Sequence, residues 1–346
     1  MPSRAEKLTP SEPVGSSRSD RVAWKIQLMA SAGSQPRPVP HQGSGTVHAP
    51  RLALHRARTI ACLAAVYLIW GSAYLAIRVA VQDAPPFLMA GARFVLAGVL
   101  LYAGLRLGGS PPPDRHQWTT TALTGLLMVV AANGGVVIAE QWVDSGITSI
   151  VLATSPLWAA LFAGLWERWP SRPEWIGLSI GFGAVILLNA HAGLRAHPLA
   201  ALSLVLAALT WSLGSIMSRH VRLPPGLMAS ATQMLTGGVV MLIIGSLSGE
   251  WSGPAPSTNA IAATLYLGIF SSLIGFSAFT WLIHNTRPAL AFSYSYVNPA
   301  VAIALGAGFL GEKVGAVEVA AMGLTVCSIF FILQGRGHHE HPRHAT

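Results

Sequence analysis

Two charged residues fall within or beside long apolar segments of this chain. Arg93 lies about one third of the way into the second apolar segment, and Glu140 ends the third. A charge at the centre of a bilayer costs about 2.5–3.5 kcal/mol on insertion scales. We therefore expect Arg93 to face the protein interior, where it could bind an anion or pair with a carboxylate. Glu140 could carry a proton or pair with Arg93 or Arg78.

A purely structural role is open for both charges. Arg93 could tie helices together or extend to the membrane surface, and Glu140 could be an acid at an exposed helix end. The second half of the chain has Thr232 and Gln233 at the position that matches Arg93, so a polar spot recurs there.

Aromatic and amide side chains form a second group of candidates. Trp70 and Tyr74 are four residues apart, as are Tyr294 and Asn298, so each pair shares a helix face. Such faces could bind an aromatic or amphipathic solute, although Trp and Tyr also mark membrane interfaces. The full set of predicted pathway residues is Trp70, Tyr74, Arg93, Asn133, Glu140, Gln233, Tyr294 and Asn298.

Two prolines occupy matching places in the fourth and ninth apolar segments. Pro156 follows Ser155, and Pro299 follows Asn298. Proline removes a backbone donor and kinks a helix. The pair is predicted to act as hinges, the alternative being static kinks that improve packing.

The elements that carry these residues are ten apolar segments of about 20 residues, the length needed to cross a bilayer as a helix. Of the 346 residues, 52% are hydrophobic and 10% are charged, against about 25% charged in soluble domains. The composition predicts an all-α integral membrane protein. The segments are 59–80, 86–107, 118–139, 147–167, 174–191, 199–219, 225–247, 260–283, 289–310 and 315–334.

The net charge of +9 does not indicate nucleic-acid binding, because the basic residues are scattered through short loops. Cys62 and Cys327 both lie in apolar segments and are predicted to be packing residues. No metal site or cofactor is predicted, and a terminal histidine tract from His338 to His344 is a weak metal signal.

An internal repeat organises the segments. Residues Leu63–Leu188 match Leu204–Leu333 in order: Trp70 and Arg78 return as Trp211 and Arg219. The run from Pro85 to Ala92 also returns, from Pro224 to Ala231. Five helices in each half is an odd number, so the fold is predicted to be two inverted five-helix repeats, as in many transporters.

Lysine and arginine placement predicts the orientation. With the N-terminus inside, eighteen Lys and Arg lie in cytoplasmic segments and two in outside loops, so both termini are predicted to be cytoplasmic. The predicted regions are a disordered basic tail at 1–58, a first repeat at 59–191, a second repeat at 192–334 and a His-rich tail at 335–346.

Several short motifs resemble one family when taken in order. They include Ile-Trp-Gly-Ser-Ala-Tyr at 69–74, Gly-Ala-Arg-Phe at 91–94, Ala-Thr-Ser-Pro at 153–156 and Ser-Tyr-Val-Asn-Pro at 295–299. Across residues 59–334 the chain resembles the EamA family of the drug/metabolite transporter superfamily. The resemblance implies a ten-helix bundle in the bacterial inner membrane that exports small metabolites or drugs.

We therefore expect a multi-pass transporter that works by alternating access on a small-molecule solute and contacts the lipid bilayer. A homo-oligomer is compatible with the sequence. The alternative is an integral-membrane enzyme with an interfacial active site. An enzyme should show clustered His, Asp or Cys near a helix end, and most histidines here lie in the two tails.

Overall fold

A computed structural model describes residues 48–143, 145–189, 198–310 and 316–334. Within these ranges the secondary structure is helical, which confirms the predicted all-α class. We number the helices α1 to α12. They are α1 His48–Asp83, α2 Pro86–Leu107, α3 Arg115–Ala139, α4 Ser145–Leu152, α5 Ser155–Trp166, α6 Arg172–Asn189, α7 Pro198–Ser218, α8 Leu227–Leu247, α9 Thr258–Asn285, α10 Pro288–Ala291, α11 Tyr294–Leu310 and α12 Ala316–Gln334.

Six described helices are long and apolar enough to span a membrane: α1, α2, α3, α7, α8 and α9. A complete count of ten spans stays a prediction. The first helix begins at His48, eleven residues before the predicted start at residue 59. Pro50 falls in its first turn, where a helix does not need the missing amide donor. The N-terminal tail was predicted over 1–58, but residues 48–58 belong to α1; residues 1–47 and the predicted tail at 335–346 lie outside the described residues.

The fourth and ninth apolar segments are each broken, not continuous as predicted. In the first half the break falls at Ala153 and Thr154, between α4 and α5. In the second it falls at Phe292 and Ser293, between α10 and α11. Serine and threonine compete for backbone hydrogen bonds and favour such helix ends; the Thr154 hydroxyl, for example, donates to the Val151 carbonyl at 2.8 Å.

Wide π-helical turns interrupt α3 and α9 at equivalent places. The first covers Leu126–Asn133 and the second Leu267–Phe276. Their last residues are related by the 143-residue offset of the repeat. Because π turns are rare and concentrate at functional sites, their recurrence directs attention to the space beside Asn133 and Phe276.

Glycines allow α2 and α8, which are repeat equivalents, to pack closely. A Cβ on Gly91 would lie 2.9 Å from the Gly238 carbonyl oxygen, and a Cβ on Gly98 would lie 2.9 Å from the Leu235 amide nitrogen. Small residues permit such backbone approach in membranes. Large apolar residues such as Leu100 and Ile243 are exposed, as lipid-facing positions require. Helices α6 and α12 form a second repeat-related pair.

Candidate functional site

A cavity of about 80 Å³ lies between the two repeats. Both halves contribute aromatic rings and polar groups to its wall, while small residues leave the space open. The aromatic and polar lining residues are Trp70, Tyr74, Asn133, Ser155, Trp211, Ser271, Phe276 and Tyr294. Four of the eight predicted pathway residues therefore line one cavity: Trp70, Tyr74, Asn133 and Tyr294.

The aromatic wall is built around Trp70. Its ring meets Trp211 edge to face with centroids 5.3 Å apart, and meets Tyr294 in the same manner at 4.8 Å. Phe279 packs against both tryptophans, at 5.3 Å from Trp70 and 4.9 Å from Trp211. Edge-to-face pairs at these distances each contribute about 0.5–1.5 kcal/mol beyond area burial. The wall is therefore a packed unit that joins α1, α7, α9 and α11.

The π turn of α9 fixes the orientation of Trp70. The indole N–H donates to the Ser271 carbonyl at 3.2 Å. This approach requires glycine at position 275, because a Cβ there would lie 2.5 Å from Trp70 Nε1. The wider turn and the missing side chain together admit the indole to the helix backbone.

Asn133 connects the cavity to the buried Arg93. Arg93 is only 2% exposed, and its Nη2 donates to Asn133 Oδ1 at 3.0 Å. The Asn133 amide nitrogen in turn donates to the Met128 carbonyl at 2.9 Å, within the π turn of α3. Arg93 Nη1 also reaches the Ser272 hydroxyl at 3.5 Å. Arg93 thus lies behind the cavity wall and acts on it through Asn133.

Glu140 is fully buried beside two arginines. Arg78 and Arg93 are the charges that act on its carboxylate, and Thr148 is a neighbouring hydroxyl. Among the described residues, neither carboxylate oxygen has a hydrogen-bond partner of normal geometry. The alternative of an exposed acid at a helix end is therefore wrong. Glu140 does not line the cavity.

Tyr74 and Asn298 form a polar contact at the cavity edge. The Tyr74 hydroxyl lies beside the Asn298 side chain. With its amide nitrogen turned toward the backbone, Asn298 donates to the carbonyls of Tyr294 and Tyr67, at 3.1 and 3.3 Å. Asn298 therefore connects α11 to the α1 backbone at Tyr67.

The sequence profile of the EamA-like transporter family matches residues 57–190 and again 198–334. This double match covers both repeats and decides the family. The chain belongs to the EamA-like transporter family.

The EamA-like chain is 40% identical over 275 residues to the uncharacterized inner membrane transporter YedA of Escherichia coli strain K12. The alignment covers 79% of this chain and 90% of YedA. It is also 25% identical over 291 residues to the uncharacterized transporter YvbV of Bacillus subtilis, covering 81% of this chain and 92% of YvbV. The chain is accordingly a multi-pass membrane transporter.

The crystal structure of another protein has the same fold as this chain. It superposes with a TM-score of 0.66 at 19% sequence identity, over 81% of this chain and 99% of that one. At that identity the likeness concerns the fold alone, and it confirms the helical architecture expected of the EamA-like family.

Within each repeat of this EamA-like protein, an equivalent arginine joins the first helix to the end of the third. Arg78, in the first helix of the first repeat, donates to the Glu140 carbonyl at the end of α3. Arg219, directly after the first helix of the second repeat, donates to the Ile283 carbonyl near the end of α9. Glu140 and Ile283 are related by the same 143-residue offset. This contact, which we call the arginine clamp, therefore recurs in both repeats.

The second clamp extends into ion pairs between the repeats. Arg219 also meets Glu167 at 2.5 Å and the Thr286 carbonyl at 3.1 Å. Nearby, the buried Glu174 lies 3.6 Å from Arg287. Each of these two ion pairs joins a carboxylate of the first repeat to an arginine of the second.

The remaining predicted residues lie elsewhere. Gln233 is buried between α8 and α3, where its amide donates to the Thr124 hydroxyl at 2.9 Å, so it belongs to helix packing. Pro156 stands in the first turn of α5, just after the break, whereas Pro299 lies inside α11. The two prolines therefore do not produce matching kinks, and a hinge role stays a prediction.

Sequence reasoning missed part of the cavity wall. Phe276 and Ser271 resemble any other residues of an apolar segment, and only the π turn directs them inward. The signal available was the matching position of Asn133, which ends the equivalent turn. Among the described residues, no group of three or more His, Cys, Asp or Glu is placed to hold a metal ion. The histidine tract near the C-terminus lies outside those residues.

Proposed function

We propose that this EamA-like transporter exports a small solute by alternating access, with the cavity around Trp70 and Trp211 as its binding site. The observation that carries the proposal is that both repeats build this cavity and each repeat contributes an equivalent arginine clamp. Alternating access is commonly a rocking of one repeat against the other around a fixed central site.

The size of the cavity supports a closed conformation. About 80 Å³ accommodates a few water molecules, whereas sites for drug-sized ligands occupy roughly 300–1,000 Å³. A metabolite enters only if the helices that carry the wall separate. The breaks between α4 and α5 and between α10 and α11 supply segment ends where such movement requires little loss of helix hydrogen bonding.

If the two repeats are inverted as proposed, the two arginine clamps lie at opposite faces of the membrane. In that arrangement the Arg78 clamp closes the outer face and the Arg219 clamp closes the cytoplasmic face. Release of one clamp while the other holds exposes the cavity to one side at a time. The ion pair from Arg219 to Glu167 strengthens the inner closure, which fits a conformation closed toward the cytoplasm.

The wall favours a flat, largely apolar solute with one polar end. Trp70, Trp211 and Tyr294 offer ring edges and faces, and Asn133 offers the polar contact. Arg93 behind Asn133 makes this end of the cavity electropositive, so a hydrogen-bond acceptor or an anionic group fits there better than a cation.

Orientation is tested by labelling. With both termini cytoplasmic, cysteines placed at residues 10 and 340 should react with a membrane-impermeant maleimide only after the membrane is permeabilised, in a background where Cys62 and Cys327 are replaced by alanine. Reaction in intact cells would contradict the proposed topology.

Export is tested by comparing small molecules inside and outside cells that lack or overproduce the protein. A solute that accumulates outside with overproduction and inside without the protein is then loaded into liposomes for counterflow. The Trp70→Leu variant serves as the site control. Counterflow that is unaffected by this change would place the binding site elsewhere.

A further inference from the structure

The N-terminal ends of α2 and α8 correspond in the repeat, but only one of them is capped by an acid. The sequence Pro-Pro-Phe-Leu-Met at 85–89 matches Pro-Pro-Gly-Leu-Met at 224–228. In the first half, Glu250 accepts hydrogen bonds from the amides of Phe87 and Leu88, at 3.2 and 2.9 Å. The first amides of a helix lack intrahelical partners and attract anions, so this carboxylate meets an intrinsic requirement of the helix end.

The matching end of α8 has no side-chain cap. Its N-cap residue is Gly226, with φ at +60°, and the helix continues for 21 residues. Gly226 and Leu227, the equivalents of Phe87 and Leu88, line a pocket of about 280 Å³. The position that a carboxylate fills in the first half thus faces open space in the second.

The groups around this pocket suit an anion. Arg58 and His284 line it, together with Arg219 of the clamp, and no acidic residue is among the described lining residues. The Arg58 guanidinium lies 4.9 Å from the centroid of the Trp281 ring, which holds it beside the opening. Arg219 is already paired with Glu167, so Arg58 supplies the positive charge that is left for an anion.

His284 contacts two backbone carbonyls beside the pocket. One ring nitrogen lies 2.7 Å from the Thr280 carbonyl, and the other lies 3.1 Å from the Ser218 carbonyl. These contacts hold the ring between α9 and the end of α7.

Thr280 provides an independent sign of a missing ligand. Its side chain is 4% exposed and lines the pocket, yet its hydroxyl has no hydrogen-bond partner among the described residues. A buried hydroxyl without a partner costs about 1–3 kcal/mol. An oxyanion bound at the end of α8 offers it an acceptor.

We propose that this pocket, bounded by Arg58, Gly226, Thr280 and His284, binds a phosphate-bearing anion, with the phosphate at the N-terminus of α8. Arg58 is exposed and packs on Trp281, and the pocket lies at a helix end near the membrane surface. Both features fit the headgroup of an anionic phospholipid, because basic pockets between transmembrane helices are known to bind such headgroups. Free phosphate has the same chemistry and is the other source.

The test uses the full-length protein purified in detergent. In one arm, native mass spectrometry counts lipids retained from micelles containing phosphatidylglycerol or phosphatidylcholine. In the other, thermal unfolding is followed with inorganic phosphate or with sodium chloride at matched ionic strength. The variants are Arg58→Gln, Arg58→Lys and, as a matched control, Arg106→Gln, which removes an arginine that hydrogen-bonds to the Ser110 carbonyl away from the pocket.

Preferential retention of phosphatidylglycerol that falls about fivefold in Arg58→Gln, and is preserved in Arg58→Lys and Arg106→Gln, supports a lipid headgroup. Stabilisation by phosphate with the same dependence on the variants, without lipid preference, supports the site with a soluble ligand. Equal retention of both lipids with no phosphate effect would overturn the proposal. Equal losses in Arg58→Gln and Arg106→Gln would overturn it too, because they indicate unspecific charge attraction.

Discussion

Trp70 and Trp211, which occupy the same place in the two repeats, meet edge to face with ring centroids 5.3 Å apart and an interplanar angle of 77°. The residues that mark the duplication in the sequence are therefore in contact across the interface between the halves. Any rocking of one repeat against the other must change this contact, which places it at the centre of both the cavity and the proposed motion.

Replacing Trp70 with leucine should weaken solute binding without unfolding the protein. Losing one or two aromatic contacts with the solute, of about 0.5–1.5 kcal/mol each, predicts a rise in the transport KM of roughly twofold to 150-fold. Counterflow in liposomes measures it. Trp175, which is 36% exposed on α6, offers the control: Trp175→Leu should leave KM unchanged. Equal effects of both changes would argue against a site at Trp70.

Gly275→Ala should impair transport through the position of Trp70. The added methyl would lie 2.5 Å from the indole nitrogen and would displace it from the Ser271 carbonyl. We expect a loss of stability of about 1–3 kcal/mol, as for other overpacked sites, together with reduced counterflow. Gly104→Ala is the control, because nothing lies within 4 Å of a Cβ there. Wild-type transport by Gly275→Ala would show that the indole position is unimportant.

Arg93→Ala should abolish transport while the protein still inserts in the membrane. The change removes the donor to Asn133 Oδ1 and with it the positive charge behind the cavity. Arg93→Lys keeps the charge without the planar fork and should retain part of the activity. Transport rates and gel filtration of each variant distinguish the cases. Normal counterflow by a well-folded Arg93→Ala would assign Arg93 a structural role only.

Weakening either clamp should open the cavity to one side. A cysteine replacing Ser155 in the cavity wall, with Cys62 and Cys327 changed to alanine, reports access to an impermeant maleimide. Arg219→Gln loses the contacts to Glu167 and Ile283 and should speed labelling from the cytoplasmic side severalfold. Arg78→Gln should speed labelling from the outside. The same change in accessibility from both variants would rule out opposed gates.

Glu140→Gln should flatten the dependence of transport on external pH. A carboxylate that carries protons inward makes export faster as the outside becomes more acidic, because its protonated form is replenished there. The amide cannot titrate, so the profile of the variant should be level between pH 5 and 8. The exposed Asp114, mutated to asparagine, should keep the wild-type profile. An unchanged profile in Glu140→Gln would remove Glu140 from proton coupling.

The sequence predicted the helical class and the two repeats, because apolar length and repeated landmarks depend only on residue type, and four of its eight pathway candidates line the cavity. It could not predict the π turns, because Leu126–Asn133 is an apolar run of the kind that an ordinary α-helix also contains. The effect of Pro156 also depends on context, since a proline in the first turn of a helix follows a break instead of bending a continuous helix. The burial of Glu140 depends on groups far apart in the sequence, since Arg78 of α1, Arg93 of α2 and Thr148 of α4 surround its carboxylate.

The matched π turns also bear on ancestry. π turns are rare in proteins, and here the turns end at equivalent residues, Asn133 and Phe276. One origin before duplication of the repeat accounts for both turns, whereas independent origins require two events at the same place. The unit that was duplicated then already carried this turn, so the part of the cavity wall that the turn shapes is older than the two-repeat chain.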